Sequence, residues 1–544
     1  MVMQILPVLQ SITRKVLVAI QTSTAMKIMA TPDISVPALW LASSFNTDIF
    51  QYSFLTNGFY FKVEDDGKLI AGTDVAAFNQ NPDCDDVDFT EVVLQQPGSN
   101  SQTLKIENDY NIVIVGAAPR IVTGESIDRP NLNLGTQQAE LVHNVAQQFP
   151  GKTIVVIKSE SPLAVDDIQN DPNVSAILYY GYSGQYENKA LAEALFGGYA
   201  PAGRLTSDWL KDISSLPKLS PEVQATVDPR YTVDMTNADP LEAKLTYRYS
   251  DATPTYAFGY GLTYTTFAYS DLRVRPTVNA NGTFDVNLKV INTGNNTSDE
   301  VVQLYVHSRD SAYGSYVPKK QLAAFKRVGS ITPGETRDVT LTVDPHDFAV
   351  WDVNKQKYMV ESGRYDLFVG RSSDNILLTS EITVNGETIG SLDLKSKAKN
   401  LWDHTYVNNG VIGSEVSKAR TALYQGEYYA VTSTKDGDYV GIPNVNMNGA
   451  KGLKLRVAST SPTSSIEVRA DSPTGTKLGT ITFHSTAPVE YDIGGGKTAK
   501  ELGYTDATGA ITQVSGDHNL YLVFRGNDIR VDSIKLLASD EAGK

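Results

Sequence analysis

The segment IVTGESIDRPNLNL, residues 121–134, places Glu125, Asp128 and Arg129 close together just after the apolar run NIVIVG. A carboxyl group beyond the end of a buried strand can act as a general acid/base. It lends a proton to a leaving oxygen and later takes one from water. A neighbouring Asp-Arg pair can fix the loop through a charge-assisted hydrogen bond. A loop carboxylate by itself is more commonly solvated or capping, so context must decide. Other chemistry is sparse. The one cysteine, Cys84, excludes an intrachain disulfide and a cysteine metal cage. Six histidines show neither H-E-x-x-H nor H-x-H spacing, so no metal or other cofactor is expected. DIGGGKTAKELG looks like a phosphate loop, but Tyr491 stands where that motif needs its first glycine, and the segment reads as a turn.

The elements that must position Glu125 follow from hydrophobic periodicity. YNIVIVG, GKTIVVIKS and VSAILYYG are short, continuous, Val/Ile-rich runs, as in parallel strands buried on both faces. Between and after them, NLGTQQAELVHNVAQQF, AVDDIQND and NKALAEALFG read as helices. The alternation predicts an α/β/α sandwich over 104–263, whose ligands sit beyond the carboxyl ends of the strands. From 264 to 386 the pattern changes to strands of alternating apolar and polar residues, punctuated by Asn-Gly and Pro-Gly turns, which predicts an immunoglobulin-like β-sandwich. The polar stretch 387–399 reads as a linker, and 400–544 as a second sandwich of jelly-roll type. Ahead of the α/β unit, 45–103 reads as a β-rich insertion, with GFYFKVEDDGKLIAGTD as a hairpin. Residues 1–44 read as a helical remnant, with ITRKVLVAIQTSTAM as an amphipathic helix rather than a signal peptide.

The 544 residues exceed one core, and their composition, 41% hydrophobic and 20% charged, is that of globular domains. A formal net charge of −15 argues against nucleic-acid and anionic-lipid partners and fits a neutral ligand such as a sugar. No apolar run reaches bilayer length.

TGESIDR resembles the SGEGxDR motif in the second, α/β sandwich domain of glycoside hydrolase family 3. The resemblance continues through LNLGTQQAELVHNVA, GKTIVVIKSESPLAV and AILYYGYSGQYENKALAEALFGGYAPAGRLTSDW to YAFGYGLTYTTF, the family's link into a fibronectin type III-like domain. DEVVQLYV, KQLAAFKRV and PGET then follow in order. Beyond 400, KDGDYVGIPNV, SSIEVRADSPTGTKLGTI and GDHNLYLVFRGNDIRVDSIKL resemble carbohydrate-binding module family 6. The resemblance implies a β-glucosidase- or β-xylosidase-like activity on oligo- or polysaccharide, outside the cell or at its surface. Glu125 would be the acid/base, with Asp128 and Arg129 orienting its loop. STAPVEY replaces the module's usual Gly-Trp segment, which leaves Tyr428 and Tyr429 as candidate sugar-stacking residues; Asp532 falls at an acidic, calcium-associated position.

The partner carboxylate is missing. In family 3 the nucleophile is the Asp of an SDW motif in a preceding (β/α)8 barrel of about 250 residues. Ser207-Asp208-Trp209 spells that motif but lies within PAGRLTSDWLKD, in the wrong domain, so it is rejected as nucleophile. The first segment is somewhat similar to the last helix of family 3 barrels. The expectation is the C-terminal part of a larger glycosidase, incomplete alone, whose barrel comes from upstream or from a second polypeptide. The competing reading is a non-catalytic carbohydrate-binding or surface protein built from the same domains.

Overall fold

The computed structural model describes residues 110–117, 129–219, 221–225, 243–408, 410–415, 429–492 and 498–538, some positions between 227 and 234, and six short strands ahead of 110. Those six are β1 (Val2–Ile5), β2 (Val16–Thr22), β3 (Ala25–Ala30), β4 (Tyr60–Val63), β5 (Leu69–Gly72) and β6 (Leu94–Gln95). The α/β unit adds β7 (Tyr110–Val115), β8 (Thr153–Ile157) and β9 (Val174–Tyr179), with helices α1 (Thr136–Gln148), α2 (Asp166–Asn170) and α3 (Glu187–Leu195).

One six-stranded sheet runs in the order β1-β9-β8-β7-β2-β3. Strands β2, β7, β8 and β9 are parallel neighbours, while β1 and β3 run antiparallel at the two edges. The central strands are buried on both faces because alternate side chains point to opposite helical layers. Val113, Val115, Val155 and Ile157 pack with Leu141, Val142 and Ala146 of α1 and with Ile168 of α2. Ile112, Ile114, Ile154, Val156 and Leu178 pack on the other side with Leu191 and Leu195 of α3. The helix expected in ITRKVLVAIQTSTAM is corrected by this sheet: Val16–Thr22 and Ala25–Ala30 form a hairpin whose first strand pairs in register with β7. A short apolar run of this length fits either state, and a free edge on β7 favours the strand. β4 and β5 form the antiparallel hairpin read from the sequence, with β6 parallel to β5 in a separate three-stranded sheet.

The first β-sandwich packs Phe267–Arg273, Phe284–Asn292 and Thr336–Val343 against a five-stranded sheet of Thr277–Asn279, Ile376–Asn385, Gly363–Gly370, Ser298–Ser308 and Gln321–Ile331. In Phe284–Asn292, alternate residues Val286, Leu288 and Val290 turn into the core. This sandwich is keyed to the α/β unit. Gly259 has φ +81°, and a Cβ there would lie 2.0 Å from Oε1 of Gln303. The Gln303 amide in turn donates to the Gly259 carbonyl at 3.0 Å. Beside it, Arg204 of the α/β unit pairs with Glu300 at 2.7 Å; their side chains are 9% and 2% exposed.

The second sandwich joins a sheet of Val411–Glu415, Tyr429–Ser433, Ile529–Leu537, Gly452–Ser459 and Thr505–Ala510 to a five-stranded sheet centred on Tyr439–Asn446 and Asp517–Arg525. The stretch expected as a linker is laid against it. Leu394 is fully buried in the second core, and Leu392 exchanges backbone hydrogen bonds with Asn444 and Asn446 at 2.9 Å each.

Candidate functional site

Strands β7, β8 and β9 end side by side, at Val115, Ile157 and Tyr179. The residues beyond them form the rim where a ligand of a parallel α/β sheet is expected. Gly116 abuts the next strand end so closely that a Cβ would lie 1.7 Å from the Lys158 carbonyl oxygen. Gln138 of α1 clamps Gly116 twice, accepting from its N–H at 2.8 Å and donating to its carbonyl at 3.0 Å. The Tyr182 hydroxyl donates to the Ala117 carbonyl at 3.2 Å. Gly116 and Ala117 are therefore fixed at the end of β7. Arg129 Nη2 donates to the Pro162 carbonyl at 2.8 Å. Partial burial lowers the Arg129 pKa, and the charge of Glu160 works against that shift. Glu125, Asp128 and Tyr428 lie outside the described residues.

Sequence reasoning missed the second feature of the rim. Lys158 Nζ meets Glu187 Oε1 at 2.5 Å, with side chains 12% and 9% exposed. The Lys158 ammonium also lies 5.6 Å from the Tyr180 ring and 5.4 Å from the Tyr182 ring. Oε2 of Glu187 accepts the Ser183 N–H at 3.1 Å. Burial, with the charges of Glu160 and Glu187, pushes the Tyr182 hydroxyl up to about 12, so it stays a proton donor to Ala117. The pair ties the start of α3 to the end of β8 and so stiffens the rim. Its only sequence signal was Lys158 following a buried strand; the partner stands in a different element.

Asp208, rejected above as nucleophile, is part of the packing. Its Oδ1 accepts the Phe258 N–H at 2.8 Å, and burial raises its pKa. The adjacent Trp209 is 1% exposed and pairs with Tyr256 through backbone hydrogen bonds.

On the second sandwich, Tyr429 opens the strand Tyr429–Ser433 at the protein surface. Its ring lies 5.4 Å from that of Trp402, tilted by 34°. Asp532 accepts from Arg456 Nη1 at 2.6 Å, so its carboxylate is engaged in an ion pair. Among the described residues no cluster of three His, Cys, Asp or Glu is arranged to hold a metal ion, and no helix is long and apolar enough to cross a membrane.

Comparison with known proteins gives three matches along the chain. Residues 7–264 match the Glycosyl hydrolase family 3 C-terminal domain, 300–373 the Fibronectin type III-like domain and 409–538 the Carbohydrate binding module (family 6). The chain is 34% identical over 280 residues to "Beta-xylosidase" of Formosa agariphila, covering 51% of this chain and 36% of that protein. It is 35% identical over 286 residues to "Probable beta-glucosidase L" of Emericella nidulans, covering 48% and 36%. The crystal structure of a beta-D-glucoside glucohydrolase from Trichoderma reesei aligns at 28% identity with a TM-score of 0.43, over 51% of this chain and 40% of that one. The chain thus spans little more than a third of the length of these curated relatives. Its first matched segment holds the parallel strands and rim described above, the second covers the middle of the first sandwich, and the third covers most of the second sandwich. The chain is built from the C-terminal domain of glycoside hydrolase family 3, a fibronectin type III-like domain and a family 6 carbohydrate-binding module, in that order.

Proposed function

We propose that these residues are the C-terminal portion of a family 3 β-glycosidase acting on β-glucosides or β-xylosides, with Glu125 as general acid/base and Asp128 and Arg129 orienting its loop. The observation that carries this reading is that Gly116, Ala117 and Arg129, which flank Glu125 in the sequence, are each hydrogen-bonded at the carboxyl side of three parallel strands, to Gln138, Tyr182 and Pro162. The similarity to proteins named as β-xylosidase and β-glucosidase supports the substrate class.

In a retaining mechanism two carboxyl groups stand about 5–5.5 Å apart across the scissile bond. The nucleophile belongs to a barrel outside residues 1–544, on the same or on a second polypeptide. It attacks the anomeric carbon while Glu125 protonates the leaving oxygen. The Glu125 carboxylate then takes a proton from the water that releases the sugar. A family 6 module beside this machinery suits work on polysaccharide outside the cell or at its surface.

The test is an assembly of this chain with a family 3 barrel, assayed on cellobiose and xylobiose and on their nitrophenyl counterparts. Glu125→Gln is expected to cut turnover of the disaccharides by roughly 10²–10⁴-fold. The cut on nitrophenyl glycosides is smaller in the glycosylation step, because nitrophenolate leaves without a proton. The 544-residue chain alone is expected to give no turnover. Full activity of the Glu125→Gln assembly removes the acid/base assignment. Sugar binding without turnover in any assembly favours the binding-protein reading instead.

A further inference from the structure

We propose that Asn281 is a site of spontaneous deamidation, which consumes water and leaves aspartate or its isoaspartyl isomer on the first β-sandwich. The proposal is independent of the Glu125 assignment and of any sugar. Residues 281–283 form an exposed tip between the strands Thr277–Asn279 and Phe284–Asn292. Those strands belong to different sheets, so the tip is the link by which the chain crosses the sandwich. Its two ends are fixed. Ala280 is buried and its N–H donates to the Asn385 carbonyl at 3.0 Å, while Phe284 is buried in the core and pairs with Val343. Between them Gly282 takes φ +131°, with nothing within 4 Å of the place a Cβ would occupy. Among the described residues no hydrogen bond engages the Asn281 amide or the Gly282 N–H.

The chemistry follows from that freedom, because asparagine is among the chemically labile side chains. The Gly282 nitrogen gives up its proton to base and attacks Cγ of Asn281. A Cγ–N bond forms, the Cγ–Nδ2 bond breaks, and ammonia leaves with a proton taken from solvent. The product is a cyclic imide. Water then opens it at either carbonyl. Opening at Cγ restores the ordinary backbone as an aspartate. Opening at the backbone carbonyl leaves the chain running through Cγ, an isoaspartate with an extra methylene in the main chain. Either product adds a negative charge. A following glycine hinders the attack least, since it has no side chain and its backbone moves freely.

The same dipeptide is restrained elsewhere in the fold. Asn385 Nδ2 donates to Asn279 Oδ1 at 3.2 Å, and the Gly386 N–H donates to Ser362 Oγ at 3.0 Å. A Cβ at Gly386 would lie 2.3 Å from the Val360 carbonyl oxygen, so the backbone there is closely packed. Both the attacking nitrogen and the amide are therefore held. Asn448 Oδ1 accepts the Gly516 N–H at 2.8 Å, and the Asn448 N–H donates to Asn446 Oδ1 at 3.1 Å. Local sequence makes Asn281, Asn385 and Asn448 alike, and tertiary contacts set them apart. Asn57 and Asn409 also precede glycine but lie outside the described residues.

The full chain is incubated in mildly alkaline buffer, with a parallel sample in concentrated urea, and both are digested at intervals. Mass spectrometry reads conversion at 281, 385 and 448, and methyl transfer by an isoaspartyl methyltransferase reads the isoaspartyl share. In the folded chain, conversion at Asn281 is expected to run about tenfold ahead of Asn385 and several-fold ahead of Asn448, because their hydrogen bonds must break first. In urea the three rates should draw together. Asn281→Gln, whose longer side chain needs a larger ring, is expected to abolish isoaspartate in the tryptic peptide 274–289 while the other two sites convert as before. The assignment is overturned if Asn281 converts no faster than Asn385 in the folded chain, if the same ranking persists in urea, or if Asn281→Gln leaves the isoaspartate of that peptide in place. None of those results touches the Glu125 assignment, which is read from turnover.

Discussion

Glu467 shows how one side chain can set the acid limit of a module. Its carboxylate accepts from Arg525 at 2.8 Å, from Arg469 at 2.8 Å and from Lys477 at 2.9 Å, with the side chain 14% exposed. The hydrogen bond from Arg525 leads in holding its pKa down at about 2. A carboxyl group so depressed stabilises the fold above its unfolded value, near 4.3, and loses that contribution as pH falls toward 2. Glu467→Gln is therefore expected to lower the melting temperature at pH 7, with the gap to wild type narrowing below about pH 4.5. Thermal melts followed by circular dichroism at pH 7, 4 and 2.5 read this directly; a gap independent of pH refutes it. Pairings of this kind were not legible in the sequence. Lys158 and Glu187, or Trp402 and Tyr429, sit on separate elements, and periodicity reports which face a residue takes but not which distant residue it meets. The segment holding Glu125, by contrast, stood out because its neighbours on both sides announced buried strand and helix.

At the scale of elements, the patterns that could be read were those with a strong period. The three helices and the three parallel strands β7–β9 of the α/β unit fall where apolar spacing put them. The failure was the run KVLVAI, which carries no length or flanking signal to separate helix from strand and is settled by pairing with β7. Gly259 is an element-scale requirement of another kind, since its backbone conformation and the space above it both exclude a side chain. Gly259→Ala is expected to destabilise by roughly 1–3 kcal/mol, from strain in the left-handed region together with displacement of Gln303. Gly135→Ala, at φ −56° with nothing within 4 Å, should leave stability nearly unchanged. Urea unfolding of the two variants side by side decides it, and equal midpoints would contradict the packing argument.

Across the whole molecule the units are joined by buried polar contacts. Arg204→Met leaves Glu300 charged at 2% exposure and is expected to cost about 3–5 kcal/mol. Arg204→Met/Glu300→Leu should recover most of that loss, because removing both charges leaves no uncompensated group. Calorimetry of the two variants separates these outcomes; a double variant no better than the single would show the pair to be stabilising in its own right. At the other junction, Asn354 Nδ2 donates to the carbonyls of Gly390 and Pro443 at 2.6 and 2.8 Å, and Lys399 Nζ donates to Val353 at 2.7 Å. The Tyr316 hydroxyl reaches Val407 at 3.2 Å, and its ring meets that of Tyr406 at 5.2 Å. This stitching means the terminal module is an outrigger rather than a float on a line. A polysaccharide strand gripped at its surface would be offered to the rest of the molecule at one set offset, with no slack to sample other reaches.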